Sequence, residues 1–128
     1  MSNKQVCKII SLNVRGLRNS IKRSSMFAFL KDQNATIYFL QETYSEQSDE
    51  SFWKNEWGGE MFFSHGTRHS KGTCILLNPA IEDSKIKTDS LSGNSGRIVL
   101  INLILNGLEL PLCNIYAPNR IKPSSCDL

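Results

Sequence analysis

The feature that most constrains this fold is a pair of apolar runs joined by two turn residues. The runs cover residues 97–105 and 108–116, with Asn106-Gly107 between them. Asparagine followed by glycine favours positive φ at both positions, as a type I′ turn requires. The sequence therefore predicts an antiparallel β-hairpin. Pro111 lacks an N–H, so we expect it where its strand need not donate to a neighbour.

The first third of the chain predicts a strand, a helix and a second strand. Residues 6–14 form a β-rich apolar run, and residues 36–41 form a shorter one. Asn19 can cap a helix over about residues 20–33. Because this order with short connections favours a crossover, we expect the two strands to be parallel. Four helical residues are expected to face the core: Ile21, Met26, Phe29 and Leu30.

The middle of the chain predicts a second helix and then strands alone. A weakly amphipathic segment over residues 48–57 carries Phe52, Trp53 and Trp57, and Gly58-Gly59 closes it. We expect both tryptophans to pack in the core rather than to stack on bases. Three further strands are predicted, over residues 60–64, 73–77 and 84–91. These elements together predict one mixed α/β (α+β) domain.

Charge is distributed unevenly along a chain whose net charge is only +3. Residues 1–31 contain seven basic residues and no acidic one, whereas residues 42–60 contain six acidic residues and one lysine. A basic face beside an acidic segment suits a protein that binds phosphates next to a metal-binding carboxylate. An uneven but solvated surface would explain the same pattern.

The cysteines and histidines indicate no zinc or redox site. The four cysteines lie far apart without a C-x-x-C pair, and three of them lie in apolar runs: Cys7, Cys74 and Cys113. We expect these three to be small buried side chains in a reducing compartment. His65 and His69 flank a glycine, so we expect loop residues that contact phosphate at most. No apolar stretch approaches the roughly 18 residues of a membrane span. An intracellular protein, nuclear or cytoplasmic, is therefore expected.

Five motifs in a fixed order give the chain a specific resemblance. They are S-L-N-V-R-G-L at residues 11–17, L-Q-E-T at 40–43, G-T-C-I-L-L at 72–77, G-R at 96–97 and N-I-Y-A-P-N at 114–119. The chain resembles the N-terminal half of the endonuclease/exonuclease/phosphatase superfamily, most closely the apurinic-type endonuclease of non-LTR (LINE-type) retrotransposons. We expect residues 1–119 to be a partial domain of this kind and residues 120–128 to be a tail without a counterpart in it.

This resemblance implies a fold and a set of site residues. The fold would be the first half of a four-layer, two-sheet β-sandwich flanked by helices. The metal would be Mg²⁺, with Mn²⁺ as an alternative, and no small-molecule cofactor is expected. Glu42 would bind the metal, and Asn13 would help to hold and orient it. Tyr116 would contact the scissile phosphate and Asn119 would support the same pocket, with Arg97 as a further candidate.

The expected partner is DNA. Arg15, Arg18 and Arg23 belong to the basic N-terminal segment and are expected to contact the DNA backbone. A solvated loop and helix face is the competing interpretation of these arginines. Each site residue has a simple structural alternative too. Glu42 could be a solvated carboxylate at a strand exit, Asn13 could begin a turn, and Tyr116 could be a core aromatic with its hydroxyl at the surface.

Two motifs that complete the family's site do not occur in this sequence. They are a Gly-Asp-Phe-Asn stretch and a Ser-Asp-His segment, whose histidine is catalytic in the family. We therefore expect a truncated Mg²⁺-dependent DNA endonuclease domain of retrotransposon type, and we expect this chain by itself to be inactive. A fragment of an abasic-site nuclease or phosphoesterase, or a non-catalytic nucleic-acid-binding remnant, is the alternative.

Truncation would also leave the hairpin partly uncovered. In a sandwich, the inner face of each sheet is buried against its partner. We expect a monomer that is prone to aggregate. The residues expected to lack cover are 98–101 together with Leu103, Ile104, Leu108, Leu110 and Leu112.

Overall fold

A computed structural model of the chain describes residues 7–81, 84–86, 91–92 and 96–117. Two helices and eight strands are present in these ranges. The elements are β1 (Ile9–Asn13), α1 (Ser20–Gln33), β2 (Ile37–Gln41), α2 (Glu50–Trp57), β3 (Met61–Ser64), β4 (Thr73–Leu77), β5 (Ser84–Ile86), β6 (Leu91–Ser92), β7 (Ile98–Leu105) and β8 (Leu108–Ile115). A single 3₁₀ turn, Gln47–Asp49, leads into α2.

The first sheet has the strand order β1-β2-β4-β3. β1 and β2 are parallel, and β4 pairs antiparallel with both β2 and β3. The parallel pair connected by α1 confirms the strand-helix-strand prediction. Because the strands of this pair run in the same direction, the last residue of β1, Asn13, lies beside Gln41 at the end of β2.

The second sheet is built around the predicted hairpin. β7 and β8 pair over their whole length, from Ile98 with Ile115 to Leu105 with Leu108. Asn106 and Gly107 have φ values of 52° and 80°, which confirms the positive-φ turn. Since β8 occupies one edge of β7, both β5 and β6 pair with the other edge, and the strand predicted over residues 84–91 is two short strands.

Pro111 lies opposite Asn102 in this hairpin. The pair that closes a two-residue loop is hydrogen-bonded, and bonded and non-bonded pairs then alternate along an antiparallel ladder. The position of Pro111 is therefore one that donates no bond to β7, as the sequence predicted.

One apolar core lies between the helices and the first sheet. Phe27 and Leu30 of α1 are buried there with Trp53 and Trp57 of α2. The indole of Trp57 donates to the carbonyl of Leu77 at 2.8 Å. Both tryptophans therefore pack in the core, as predicted.

The predicted core face of α1 is partly wrong. Ile21 is 77% exposed and Phe29 51% exposed, whereas Arg23 is buried. Arg23, Phe27 and Leu30 are spaced by four and three residues, so they share one helix face. That face turns inward, which places Ile21 and Phe29 toward solvent.

A second apolar core lies between the two sheets. Ile37, Ile75 and Leu77 of the first sheet contact four hairpin side chains, which are Val99, Ile101, Leu103 and Leu112. These four hairpin side chains are thus covered, contrary to expectation, whereas Ile98, Leu100 and Leu108 are exposed as expected. The exposed apolar residues lie on its outer face and turn end, where Leu108 is 62% and Ile115 60% exposed, and Ile98 and Leu100 are exposed too.

The cysteines were expected to be buried, and the structure corrects this for two of them. Cys74 is buried in β4, but Cys7 and Cys113 are exposed. Cys113 lies in β8 between the buried residues Leu112 and Asn114, so strand alternation turns it outward. Among the described residues, no helix is long and apolar enough to span a membrane.

Candidate active site

Glu42 leaves the end of β2 and is the centre of a polar cluster. Its backbone has a φ of 57°, the left-handed conformation. The side-chain amide of Asn13 donates to its carboxylate at 2.8 Å. This bond is the largest effect that holds the pKa of Glu42 below its ordinary value; hydrogen bonds from Tyr116 and Tyr44 and the charge of Arg15 act in the same direction. Burial opposes them, but the carboxylate is stabilised in its ionised form.

Asn13 is oriented by the turn that follows it. Its side-chain oxygen accepts from the backbone N–H of Arg15 at 3.1 Å, while its NH₂ group faces Glu42. The amide therefore bridges a turn and the carboxylate. This geometry suits a residue that orients Glu42 better than one that is itself a metal ligand.

Tyr116 reaches Glu42 from the other sheet. It follows β8 directly, and its backbone N–H donates to the carbonyl of Arg97 at 2.7 Å, which continues the hairpin ladder. Its side chain lines the same pocket as the Glu42 carboxylate, and the interaction of its hydroxyl with that carboxylate raises the pKa of Tyr116 above its ordinary value. The structure thus brings Asn13, Glu42 and Tyr116 together from three strand ends.

Tyr44 is a second tyrosine at the carboxylate, and it is not among the residues predicted from the motifs. Its φ of 58° is left-handed. Its ring lies so close to Gly16 that a Cβ at Gly16 would come within 2.5 Å of it. Its place two residues after Glu42, directly after the L-Q-E-T motif, is the signal that could have identified it.

A pocket of about 510 Å³ opens beside the carboxylate. It combines one acidic side chain with three basic ones and two phenols. The lining residues are Glu42, Tyr44, His69, Ser70, Lys71, Arg97 and Tyr116. Cationic and hydroxyl groups around a single carboxylate suit the binding of a phosphate next to a metal ion. His69 belongs to the loop between β3 and β4, as expected, and lies at this pocket.

The residues present fit the protein's part of a Mg²⁺ site. Mg²⁺ is usually held by one or two carboxylates, and waters and substrate phosphates complete its coordination. Glu42 is an ionised carboxylate held in place by several donors and faces an open pocket. Within the described part of the chain, no group of three or more His, Cys, Asp and Glu side chains could hold a metal ion. Among the described residues that line the pocket, Glu42 is the one acidic side chain.

Two of the three predicted DNA-binding arginines form ion pairs and hydrogen bonds within the protein. Arg18 forms a two-pronged ion pair with Asp49, at 2.6 and 3.2 Å. Arg23 is 5% exposed; it contacts Glu56 at 2.5 Å and donates to the carbonyl of Leu17.

The expectation that Arg23 faces a DNA backbone is therefore wrong for the folded chain. Its guanidinium also lies over the rings of Phe52 and Trp53, at 5.5 and 5.1 Å from the ring centroids. Arg18 is partly buried and bound to Asp49. Arg15 differs from both, because it is exposed and close enough to Glu42 to affect its pKa.

His65 has a structural environment. Its Nδ1 lies 3.0 Å from the hydroxyl of buried Ser45, and its Nε2 lies 2.5 Å from Glu50. Its ring also stacks on Phe63. His65 therefore joins α2 to the loop that follows Glu42. Asn119, predicted to support the pocket, lies outside the described residues.

Comparisons with known proteins agree with this arrangement. The model of the Endonuclease/Exonuclease/phosphatase family matches residues 10–125. The "Transposon TX1 uncharacterized 149 kDa protein" of Xenopus laevis is 31% identical over 110 residues, which are 86% of this chain and 8% of that protein.

Solved structures share the fold at low sequence identity. AP endonuclease LMAP from Leishmania major is similar with a TM-score of 0.68 and 19% identity, over 90% of this chain and 41% of that one. The endonuclease domain of TRAS1, a telomere-specific non-LTR retrotransposon, is similar with a TM-score of 0.58 and 16% identity, over 92% of this chain and 49% of that one.

The chain thus spans less than half the length of these relatives. A transposon protein and the endonuclease domain of a non-LTR retrotransposon are thus among the proteins to which this chain is similar. On the family match over residues 10–125, this chain belongs to the Endonuclease/Exonuclease/phosphatase family.

Proposed function

We propose that this chain provides the Glu42-bearing part of a DNA endonuclease of the retrotransposon type that depends on Mg²⁺, with Mn²⁺ as an alternative. The observation that carries the proposal is the meeting of Asn13, Glu42 and Tyr116, from the ends of β1, β2 and β8, at one carboxylate. Asn13 and Tyr116, which are far from Glu42 in sequence, both lie at its carboxylate. A solvated carboxylate that merely ends a strand would not need such partners.

The side chains around the pocket have distinct parts in this proposal. Glu42 holds the metal, and Asn13 fixes the direction of its carboxylate. The bound metal supplies charge neutralisation at the phosphate. Tyr116 offers a hydroxyl at the pocket where a phosphate oxygen would lie, and Lys71 and Arg97 add positive charge on the same wall.

The described part of the pocket offers little for the proton transfer that hydrolysis requires. Hydrolysis needs a base to activate water. Among the described histidines, His65 is engaged with Ser45 and Glu50, and His69 lies at the pocket wall. We therefore expect the chain by itself to hydrolyse phosphodiesters slowly at best.

Two alternatives remain distinct from this proposal. A non-catalytic nucleic-acid-binding module is favoured by the single carboxylate in the described pocket. An abasic-site nuclease or another phosphoesterase is favoured by the fold likeness to LMAP. Such an enzyme would prefer a substrate with an abasic site over intact supercoiled DNA, whereas a binding module would cleave neither.

A fusion to the C-terminal half of a family endonuclease tests the function. In this protein, Glu42→Gln should abolish Mg²⁺-dependent nicking of supercoiled plasmid but leave DNA affinity within a few-fold. Tyr116→Phe should reduce nicking less. Asp32→Asn removes an exposed carboxylate of α1 and is the matched control. Nicking by the Glu42 variant at the rate of the Asp32 variant would refute the assignment of Glu42.

A further inference from the structure

Asn114 is a polar residue in an apolar interface between the two sheets. It lies on the inner face of β8 and is 1% exposed. Its neighbour across the hairpin is Val99, and the surrounding inner-face residues are aliphatic. Burying an amide in such a place is costly unless its donors and acceptor are all paired.

Every polar group of this amide is paired, and each partner lies on the other sheet. The NH₂ group donates to the carbonyl of Leu40 at 3.1 Å and to that of Cys74 at 2.9 Å. The oxygen accepts from the side-chain NH₂ of Gln41 at 2.9 Å. One residue of the second sheet is thus bonded to both β2 and β4 of the first.

The two amides lie next to the two functional groups at the pocket. Gln41 immediately precedes Glu42, and Asn114 lies two residues before Tyr116. Because side chains two apart on a strand point the same way, Asn114 and Tyr116 both face the first sheet. Hydrogen bonds fix direction and register between the sheets, which the aliphatic contacts around them do not.

We propose that Asn114 and Gln41 form a positioning pair that sets the Tyr116 hydroxyl against the Glu42 carboxylate. The role of the contact between Tyr116 and Glu42 rests on the proposed function. The contact itself can be measured without metal or DNA. Neither amide touches the pocket, so both act through the residues that follow them.

The test uses the hydroxyl-bearing ring carbon of tyrosine as a reporter. The chain has three tyrosines, so ¹³Cζ labelling gives three signals, and Tyr116→Phe identifies one of them. Gln41→Met keeps the length of the side chain and removes the donor to Asn114, while the two Asn114–carbonyl bonds remain. We expect this variant to shift the Tyr116 signal toward that of a solvent-exposed tyrosine.

Two comparisons separate positioning from general loosening. Ser11→Ala removes the other side-chain partner of the Gln41 amide, at 3.1 Å, and should leave the Tyr116 signal in place. Tyr38, which is buried and accepts from the N–H of Ala35, should keep its signal in both variants. Tyr44, in the same loop as Glu42, should keep its signal too.

Two results would overturn the proposal. An unchanged Tyr116 signal in Gln41→Met would show that the amide pair only joins the sheets. Equal shifts of Tyr38 and Tyr116 would show a loosened fold. Failure of the proposed nuclease function would appear differently, as absent metal and DNA binding in a protein whose Tyr116 signal responds as expected.

Discussion

The side-chain amide of Asn13 donates a hydrogen bond to the carboxylate of Glu42 over 2.8 Å, across 29 residues of sequence. It is the largest of the effects that lower the pKa of Glu42. Asn13→Ala should therefore raise that pKa toward its ordinary value, measured by NMR titration of the glutamate ¹³Cδ signals. Asn55→Ala, at an exposed site on α2, is the control. An unchanged pKa of Glu42 in Asn13→Ala would contradict the role of Asn13 at this site.

Stability should fall in acid. The pKa of Glu42 is lowered chiefly by Asn13. Burial acts to raise the pKa of Asp49, but bonds from Arg18 and the Glu46 N–H leave it lowered as well. Groups whose pKa is lower in the folded state stabilise the protein above their unfolded pKa. The free energy of unfolding should therefore decrease as the pH falls below about 4.5 toward 3, measured by urea unfolding.

The acid sensitivity should depend on the Arg18–Asp49 pair. Asp49→Asn cannot gain a proton, so its stability should change less between pH 5 and pH 3 than that of the unmodified chain. An equal loss in both proteins would contradict the assignment.

Arg15 and Arg23 should differ in DNA binding. Each phosphate contact that is lost reduces the slope of log affinity against log salt by about 0.9 for duplex DNA. Arg15→Ala should reduce this slope by about one, because Arg15 is exposed beside the pocket. Arg23→Gln should leave the slope unchanged and lower the free energy of unfolding by about 1–3 kcal/mol, because Glu56 and the carbonyl of Leu17 lose the buried guanidinium that donates to them. A reduced slope in the Arg23 variant would contradict its buried role.

Pattern and turn chemistry predicted most of the fold. Asn106-Gly107 identified the hairpin and the strand-helix-strand order identified the parallel pair, because both depend on local residues. The orientation of α1 was partly missed. Ile21 and Phe29 are apolar, yet they lie on the exposed face of α1. The face that is buried contains Arg23, whose contacts with Glu56 and Leu17 form only when the chain folds.

The sequence predicted the residues of the candidate site that lie at strand ends. It did not predict those that reach the pocket from loops. Asn13, Glu42 and Tyr116 end strands that the sequence marks clearly. Tyr44 and Lys71 reach the pocket through left-handed backbone in two loops, with φ values of 58° and 64°. No spacing rule places such loops side by side, so their convergence could not be read from the chain.

The outer face of the hairpin should control solubility. Leu100 and Ile115 are exposed there, whereas Leu103 on the inner face is buried. Threonine is β-branched and favours strands, so replacing both exposed residues by threonine removes apolar surface without disfavouring the strand. Binding of the dye ANS and aggregation should therefore decrease at nearly constant stability.

Leu103→Thr is the matched substitution on the inner face. It should lower the free energy of unfolding by about 2–4 kcal/mol, because it opens a cavity and buries a hydroxyl. Equal ANS binding before and after the outer-face substitutions would show that this face is not the adhesive surface.

Binding of a divalent metal at Glu42 is the claim on which the functional account depends. Mn²⁺ added below stoichiometry broadens NMR signals close to its site. In the unmodified chain, we expect selective broadening at the backbone amides of residues 13, 42–44 and 116. The broadening should persist in Asp32→Asn and disappear in Glu42→Gln. Broadening that survives in the Glu42 variant, or that centres on the acidic residues 46–50, would contradict the account.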